Sequence, residues 1–345
     1  MKPHVLLARQ DNNGDVILAG PAIRAVRAAA RRVTLLCGPR GQQAARLLPC
    51  VDEMVVRESE WIDAQPGRVQ PGEVAAFVAQ LARLQIDQAF ILTSFHQSPL
   101  PLALLLRMAG VAVIAANCDD YAGSLLDIRH RPSHDIHEVT RSLSLVATLG
   151  YGIAKDDDDK LRLRLGERPW LPPFGGDRYI VIHPGATVSA RAWSPLHNRN
   201  LVAALCRRGE RVVVTGGPGE TRLGAYVCGA PHDRLMDLAG RTDFAGFARV
   251  VASASAVVSG NTAAAHVAAA VQTPVVSIFP PTVPAVRFRP WAVPHVLLGR
   301  QDIECAGCRA QVCPVPGHPC VDTVGVNEVI DALETLVPIN AVVAS

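Results

Sequence analysis

The sequence predicts an α/β protein built from two Rossmann-like halves, and three observations carry that expectation. Short β-branched runs alternate with alanine-rich helical stretches from one end to the other. The alternation is interrupted once, by a polar and breaker-rich stretch near residues 154–178. At 345 residues the chain also exceeds the usual length of one domain. Strands alternating with helices assemble into parallel sheets through right-handed crossovers.

In the first half, His4–Ala8, Val33–Cys37, Gln88–Leu92 and Val111–Ala115 read as buried parallel strands, because a strand covered on both faces needs a continuous apolar run. Helix candidates lie between them at Gly20–Ala30, Glu73–Leu84 and Leu100–Met108. The second half repeats the pattern, with strands at Tyr179–His183, Arg211–Thr215, Ala256–Ser259 and Pro274–Phe279. At the interruption, the run Lys155-Asp156-Asp157-Asp158-Asp159-Lys160 reads as a solvated loop, followed by an Arg/Leu alternation and the breaker-rich Pro169–Gly176. Two halves joined there would form a cleft between their strand C-termini, where open α/β sheets place ligands.

Composition narrows the function classes. An apolar fraction of 49% with 19% charged residues suits two packed cores and argues against disorder. A net charge of +3, with both signs interspersed, is too weak to imply a nucleic-acid partner, leaving only a local basic patch open. Met1–Ala8 runs straight into polar Arg9–Asp15 and does not read as a signal peptide. Pro99–Ala116 contains Arg107 and two prolines, and reads as helix, turn and strand rather than a membrane span. Nine scattered cysteines argue against a disulfide framework and fit a reducing cytoplasm.

Five motifs carry chemistry. Asn12-Asn13-Gly14-Asp15 follows the first strand, on the loop at its carboxyl end. A carboxylate there can deprotonate a hydroxyl, although an ordinary helix-start Asp has the same signature. His183-Pro184-Gly185-Ala186 follows the first strand of the second half, with Thr187, Ser189, Arg191 and Trp193 beyond it. Its small residues let backbone N–H groups approach an anion, and the hydroxyls and Arg191 add charge-assisted hydrogen bonds to a pyrophosphate. Thr215-Gly216-Gly217-Pro218-Gly219-Glu220 lets a nucleotide approach the backbone, with Glu220 as an acceptor for ribose hydroxyls. Arg222 stands where a third glycine of the dinucleotide fingerprint belongs, which disfavours a nicotinamide enzyme.

The fourth motif, Ser259-Gly260-Asn261-Thr262-Ala263-Ala264-Ala265-His266, leads from a strand into an alanine-rich helix starting at about Thr262. Asn261 and Thr262 are good N-cap types, the helix start suits phosphate oxygens, and His266 lies one turn in. The fifth is Cys305-x2-Cys308-x4-Cys313-x6-Cys320 with His318. By spacing it is compatible with a structural metal, packed reduced thiols or a disulfide. The metal-like run His134-Asp135-Ile136-His137-Glu138 reads instead as the capped start of a helix.

In order and spacing these segments together resemble glycosyltransferase family 9, the ADP-heptose heptosyltransferases of lipopolysaccharide core assembly, over almost the whole chain. Gly14-Asp15-Val16 with Pro21-Ala22-Ile23-Arg24 is similar to the family's opening Gly-Asp-Val/Met segment. His183–Trp193 resembles its His-Pro-Gly-Ala…Lys-x-Trp block, with Arg191 for the usual lysine. Ser259–His266 resembles its Ser-x-(Asp/Asn)-Thr-Gly-x-x-His block, with Asn261 and Ala263 at positions that are often Asp and Gly. Cys305–Cys320 resembles a cysteine-bearing loop, and His137-Glu138-Val139 with Arg141 a helix start.

The resemblance implies a GT-B fold, two Rossmann-like domains facing each other across a cleft. Residues 1–160 would bind the acceptor and 175–326 the donor. A final helix over 327–337 would pack back toward the N-terminal domain. It further implies inversion with neither metal nor cofactor, Asp15 taking the acceptor proton. Thr187, Ser189, Arg191, Gly216, Gly217, Glu220, Asn261, Thr262, Ala263, Ala264 and His266 would hold a nucleotide-sugar donor. The acceptor would be a glycan, glycolipid or small molecule, with peripheral membrane contact if it is a lipid. A nucleotide-sugar epimerase or hydrolase, and a non-catalytic binding protein, are the competing readings.

Overall fold

The computed structural model describes every residue except 64, 95, 167–169, 171, 173–177 and 340–345. The chain divides into two units, Met1–Arg164 and Leu165–Ser345. The expected breaker stretch 169–176 lies outside the described residues apart from Trp170 and Pro172.

The first unit is a parallel sheet of β1 (His4–Arg9), β2 (Arg32–Cys37), β3 (Glu53–Val56), β4 (Gln88–Ile91), β5 (Val113–Asn117) and β6 (Ile128–His130), in the order β3-β2-β1-β4-β5-β6. Its helices are α1 (Asn13–Leu18), α2 (Gly20–Ala29), α3 (Gln42–Ala45), α4 (Pro71–Arg83), α5 (Leu100–Met108) and α6 (Glu138–Ala147). The central strand β1 is buried at every position, and pairs with β2 from His4↔Arg32 and with β4 from Val5↔Gln88. Phe77, Leu81, Leu102 and Leu106 pack against the sheet from α4 and α5.

The second unit repeats the plan. Its strands are β7 (Ile180–His183), β8 (Val212–Val214), β9 (Leu235–Asp237), β10 (Ala256–Gly260), β11 (Val275–Ile278) and β12 (His295–Leu298), in the order β12-β11-β10-β7-β8-β9. Counted from the start of each unit, the two strand orders are identical. The helices are α7 (Pro195–Arg207), α8 (Thr221–Cys228), α9 (Phe244–Ala252), α10 (Ala263–Ala270), α11 (Ala285–Phe288) and α12 (Val326–Leu336). The final helix α12 buries Val329, Ile330 and Leu333 in the second unit's own core, with Leu201, Leu205 and Val276.

Three expectations change. The four strands that the apolar runs do not mark, β3, β6, β9 and β12, are the outermost strands of the two sheets. Their residues are mostly half-buried, so no continuous apolar run is required of them. The acidic run is not a free solvated loop. Buried Arg24 of α2 donates from Nε to Asp157 Oδ2 at 2.8 Å, and from Nη2 to the carbonyls of Asp158 and Lys160, each at 2.8 Å. The first unit runs to Arg164, whose N–H donates to the Leu47 carbonyl at 2.8 Å. Asp15 lies not on a loop but in the first turn of the short helix α1, and Gly14 is buried there without a left-handed backbone.

Among the described residues, no helix is long and apolar enough to cross a membrane.

Candidate active site and nucleotide site

In each unit the strand order reverses beside the first strand, between β1 and β4 in one and between β7 and β10 in the other. Crevices at such switch points are where parallel sheets bind ligands, because the two flanking crossovers leave in opposite directions. The segments after β1, β7 and β10 fall at these two points, whereas the glycine turn follows β8 and the cysteine loop follows β12.

In the first unit the switch point is organised by Arg9, the last residue of β1 and only 2% exposed. Its Nε lies 2.9 Å from Asp11 Oδ2, its Nη2 3.0 Å from Asp15 Oδ1, and its Nη1 3.6 Å from Glu138 Oε2 at the start of α6. Nη2 also donates to Ser94 Oγ at 3.0 Å, on the loop after β4. Gln97, from that loop, donates to Asp11 Oδ1. Burial raises the Asp11 carboxyl to about 6; Arg9 opposes the rise and Asp15 adds to it. The three carboxylates raise the Arg9 guanidinium above its ordinary value despite its burial. Asp15 is the most accessible carboxylate of the three, its side chain 20% exposed against 9% and 2% for Asp11 and Glu138.

Arg9, Asp11, Ser94, Gln97 and Glu138 were not singled out from the sequence as members of this site. One local signal was available: an arginine directly after the apolar run Val5–Ala8 of a buried strand has to find a charge partner. His137 behaves as read, capping α6 by accepting the Val139 N–H on Nδ1 at 3.1 Å.

The second unit assembles the other motifs. After β7 the chain passes through the His183–Val188 turn into a single 3-10 turn, Ser189–Arg191. Gly260, the last residue of β10, faces the backbone of that turn: a Cβ there would lie 2.5 Å from the Arg191 carbonyl oxygen. Glycine at 260 therefore lets residue 191 sit against the start of α10. Thr262 is the N-cap of α10, its Oγ1 accepting the Ala264 N–H at 3.3 Å. Asn261 is buried just before it and makes no cap, which corrects the shared capping role read from the sequence. Ala263 is half-buried at the first helical position, and His266 is buried one turn in. The Arg191 backbone thus lies against the strand end that leads into α10, whose positive N-terminus favours an anion; the Arg191 side chain is half-buried and Thr187 is exposed.

Ser189 is committed elsewhere. Its hydroxyl donates to the Gln311 carbonyl at 3.1 Å, leaving only lone pairs, which phosphate oxygens cannot use. Ala190 N–H also donates to Gln311 O at 3.0 Å, and His318 Nε2 contacts Ala190 O at 3.2 Å. The cysteine loop is therefore a buttress for the Ser189–Arg191 turn. Its four thiols are free, and burial with three neighbouring thiols pushes Cys320 up to about 11. Among the described residues no group of three His, Cys, Asp or Glu side chains is arranged to hold a metal ion.

The glycine turn after β8 closes over the same strand ends. Glu220 Oε2 accepts the Gly217 N–H at 2.6 Å, and the carboxylate occupies the space that a Cβ on Gly185 would need. Gly216 packs against the Glu220 side chain and Ala239. One carboxylate thus ties the turn after β7 to the turn after β8 and keeps further lone pairs for hydroxyl donors. His183 Nδ1 lies 3.1 Å from Thr215 Oγ1, and its burial depresses the ring's basicity against the pull of Glu220.

A recess of about 800 Å³ lies elsewhere in the first unit, lined by Arg57, Arg68, Glu60, Glu73 and Phe77 among others. It contains neither Asp15 nor any motif residue, and we take the switch points, where the chemistry-bearing groups converge, as the functional sites.

Two parallel six-stranded sheets of identical order, with polar sites at their switch points, define a GT-B-like α/β protein. The family model of glycosyltransferase family 9 (heptosyltransferase) matches residues 75–318, and the chain belongs to that family. The match includes the whole Arg191–α10 site and begins beyond Asp15. The chain is 32% identical over 173 residues to lipopolysaccharide heptosyltransferase 3 of Escherichia coli K12, covering 46% of this chain and 48% of that protein. It thus spans about half the length of that curated relative.

Among solved structures it resembles a family 9 glycosyltransferase of Veillonella parvula, with a TM-score of 0.76 and 16% identity over 97% of both chains. It also resembles an E. coli heptosyltransferase bound to ADP-2-deoxy-2-fluoro heptose, with a TM-score of 0.71 and 20% identity over 96% of this chain and 99% of that one. At these identities the structural likeness establishes the fold.

Proposed function

We propose that the protein transfers heptose from ADP-heptose to a hydroxyl of a lipopolysaccharide-type acceptor, by direct displacement with inversion and without a resident metal. The observation that carries this is the seating of Arg191 against the N-terminus of α10, which Gly260 permits at the β7/β10 switch point. That arrangement suits a leaving diphosphate. The donor is suggested by family membership and by the ADP-sugar in the E. coli neighbour, and the acceptor class by the name of the curated relative.

In the proposed reaction, the Asp15 carboxylate takes the acceptor hydroxyl proton as the acceptor oxygen bonds to the anomeric carbon. The bond from that carbon to the β-phosphate oxygen breaks, and ADP departs with the electron pair. Arg191, Thr187 and the first N–H groups of α10 at Ala263 and Ala264 stabilise the charge that gathers on the diphosphate. Ser189 holds the turn that carries Arg191. Gly216, Gly217 and Glu220 receive the ribose, Asn261 contacts the sugar, and His266 supports the helix start. Free thiols at all nine cysteines suit the expected reducing compartment.

The test is a thermal-shift panel of ADP, ADP-heptose, UDP-glucose and NAD. It is followed by ADP release from ADP-heptose with heptose-deficient lipopolysaccharide, with and without EDTA. Stabilisation by ADP and ADP-heptose alone, with EDTA-insensitive release, is expected. Stabilisation by NAD or UDP-glucose instead would overturn the donor assignment, and loss of activity in EDTA would overturn metal independence.

A further inference from the structure

The guanidinium of Arg9 is divided between carboxylates that stand differently toward solvent. Asp11 Oδ2 lies 2.9 Å from Nε as an ion pair and is nearly closed off, while Asp15 accepts a hydrogen bond from Nη2 at 3.0 Å and is partly open. Glu138, from α6, completes the set at 3.6 Å from Nη1. Ser94 and Gln97 from the loop after β4 hydrogen-bond within the cluster, His96 lies exposed on the same loop, and buried His137 and Arg141 lie at the cap and within α6. One guanidinium therefore serves three acids, and a proton added to any of them redistributes it among the others.

We propose that Asp11 is a positioning residue for Asp15, acting through the shared Arg9: ionised Asp11 holds part of the guanidinium away from Asp15, and protonated Asp11 releases it to Asp15. The proposal rests on the reading of Asp15 as the base. With Asp11 ionised, Asp15 shares its counter-ion and accepts the acceptor proton readily. A solvent proton on Asp11 ends the competition, and the undivided pairing to Arg9 makes Asp15 a poorer acceptor. Burial, with the Asp15 charge adding to it, raises Asp11 to about 6, so the exchange falls in an ordinary working range of pH.

Two measurements test this. The first needs no turnover: carbon-13 carboxyl resonances of the full-length protein, labelled at aspartate, are followed from pH 4 to 8 in wild type and Asp15→Asn, with the Asp11 signal assigned through Asp11→Asn. Asp11 should titrate near 6 in wild type and at lower pH in Asp15→Asn, where the like charge is gone. An Asp11 midpoint in the ordinary aspartate range, or one indifferent to Asp15→Asn, overturns the proposal.

The second is kcat against pH from 5 to 8, by ADP release from ADP-heptose with heptose-deficient lipopolysaccharide. Wild-type kcat should fall several-fold through pH 6, with KM nearly constant. Asp11→Asn should be flat at the wild-type acid plateau, and Asp11→Glu should restore an inflection. An inflection near 6 that persists in Asp11→Asn, in protein melting like wild type, overturns the proposal. Normal turnover by Asp15→Asn would instead overturn the assignment of the base, and leaves the carboxyl titration to decide the coupling on its own.

Discussion

Asp15→Asn separates catalysis from architecture. Loss of a general base costs roughly 10²–10⁴-fold in turnover, about 3–5 kcal/mol on the barrier. The structural cost is expected to be much smaller, because the amide is nearly isosteric and keeps one oxygen for Arg9 Nη2. Arg9 also retains Asp11 at 2.9 Å and Glu138 at 3.6 Å, so its buried charge is not stranded. The first turn of α1 loses a negative charge, worth about 0.3–1 kcal/mol at a helix start. Turnover should therefore drop at least a hundredfold while the melting temperature moves by a few degrees at most. ADP affinity should be unchanged, since the groups proposed to bind the diphosphate lie in the second unit. The assays are ADP release under saturating donor, isothermal titration with ADP, and thermal melting. Near-normal turnover would refute the assignment of Asp15. A loss accompanied by collapse of melting and ADP binding would show that the residue is structural.

Arg191→Ala should weaken ADP binding and slow transfer together, whereas Arg191→Lys, keeping the charge without the fork, should be milder; equal ADP affinity in wild type and Arg191→Ala by titration removes the pyrophosphate role. Thr262→Ala should cost about 1 kcal/mol of stability at the start of α10, read as faster amide exchange there. Asn261→Ala should leave that exchange unchanged and lower donor affinity instead. Gly260→Ala sets a Cβ 2.5 Å from the Arg191 carbonyl oxygen, and the turn must shift. Stability should fall by about 1–3 kcal/mol, with weakened ADP binding; unchanged binding would separate the seating of Arg191 from donor recognition.

The α/β class, the doubled plan and eight of the strands were legible in the sequence, because a strand covered on both faces must be apolar throughout and its neighbours in sequence suffice to reveal it. So were the loops after β1, β7, β8 and β10, where polar and small residues follow such runs, and the cap at His137. The four outer strands were not legible, since a half-buried strand imposes no apolar run. Nor was the anchoring of Asp157, Asp158 and Lys160 by Arg24, more than 130 positions away.

The cap of α10 shows the limit of residue type alone: Asn261 and Thr262 are both good caps, and only the backbone at the end of β10 selects Thr262. Ser189 looked like an anion ligand by composition, yet the cysteine loop arrives from more than a hundred residues away and its Gln311 carbonyl accepts the hydroxyl's hydrogen bond. The gathering of Asp11, Asp15, Ser94, Gln97 and Glu138 around Arg9 likewise depends on β4 lying beside β1 and on α6 returning to the same strand ends. Elements follow from neighbours along the chain. The charge cluster follows from sheet order, which brings together groups that no local pattern links.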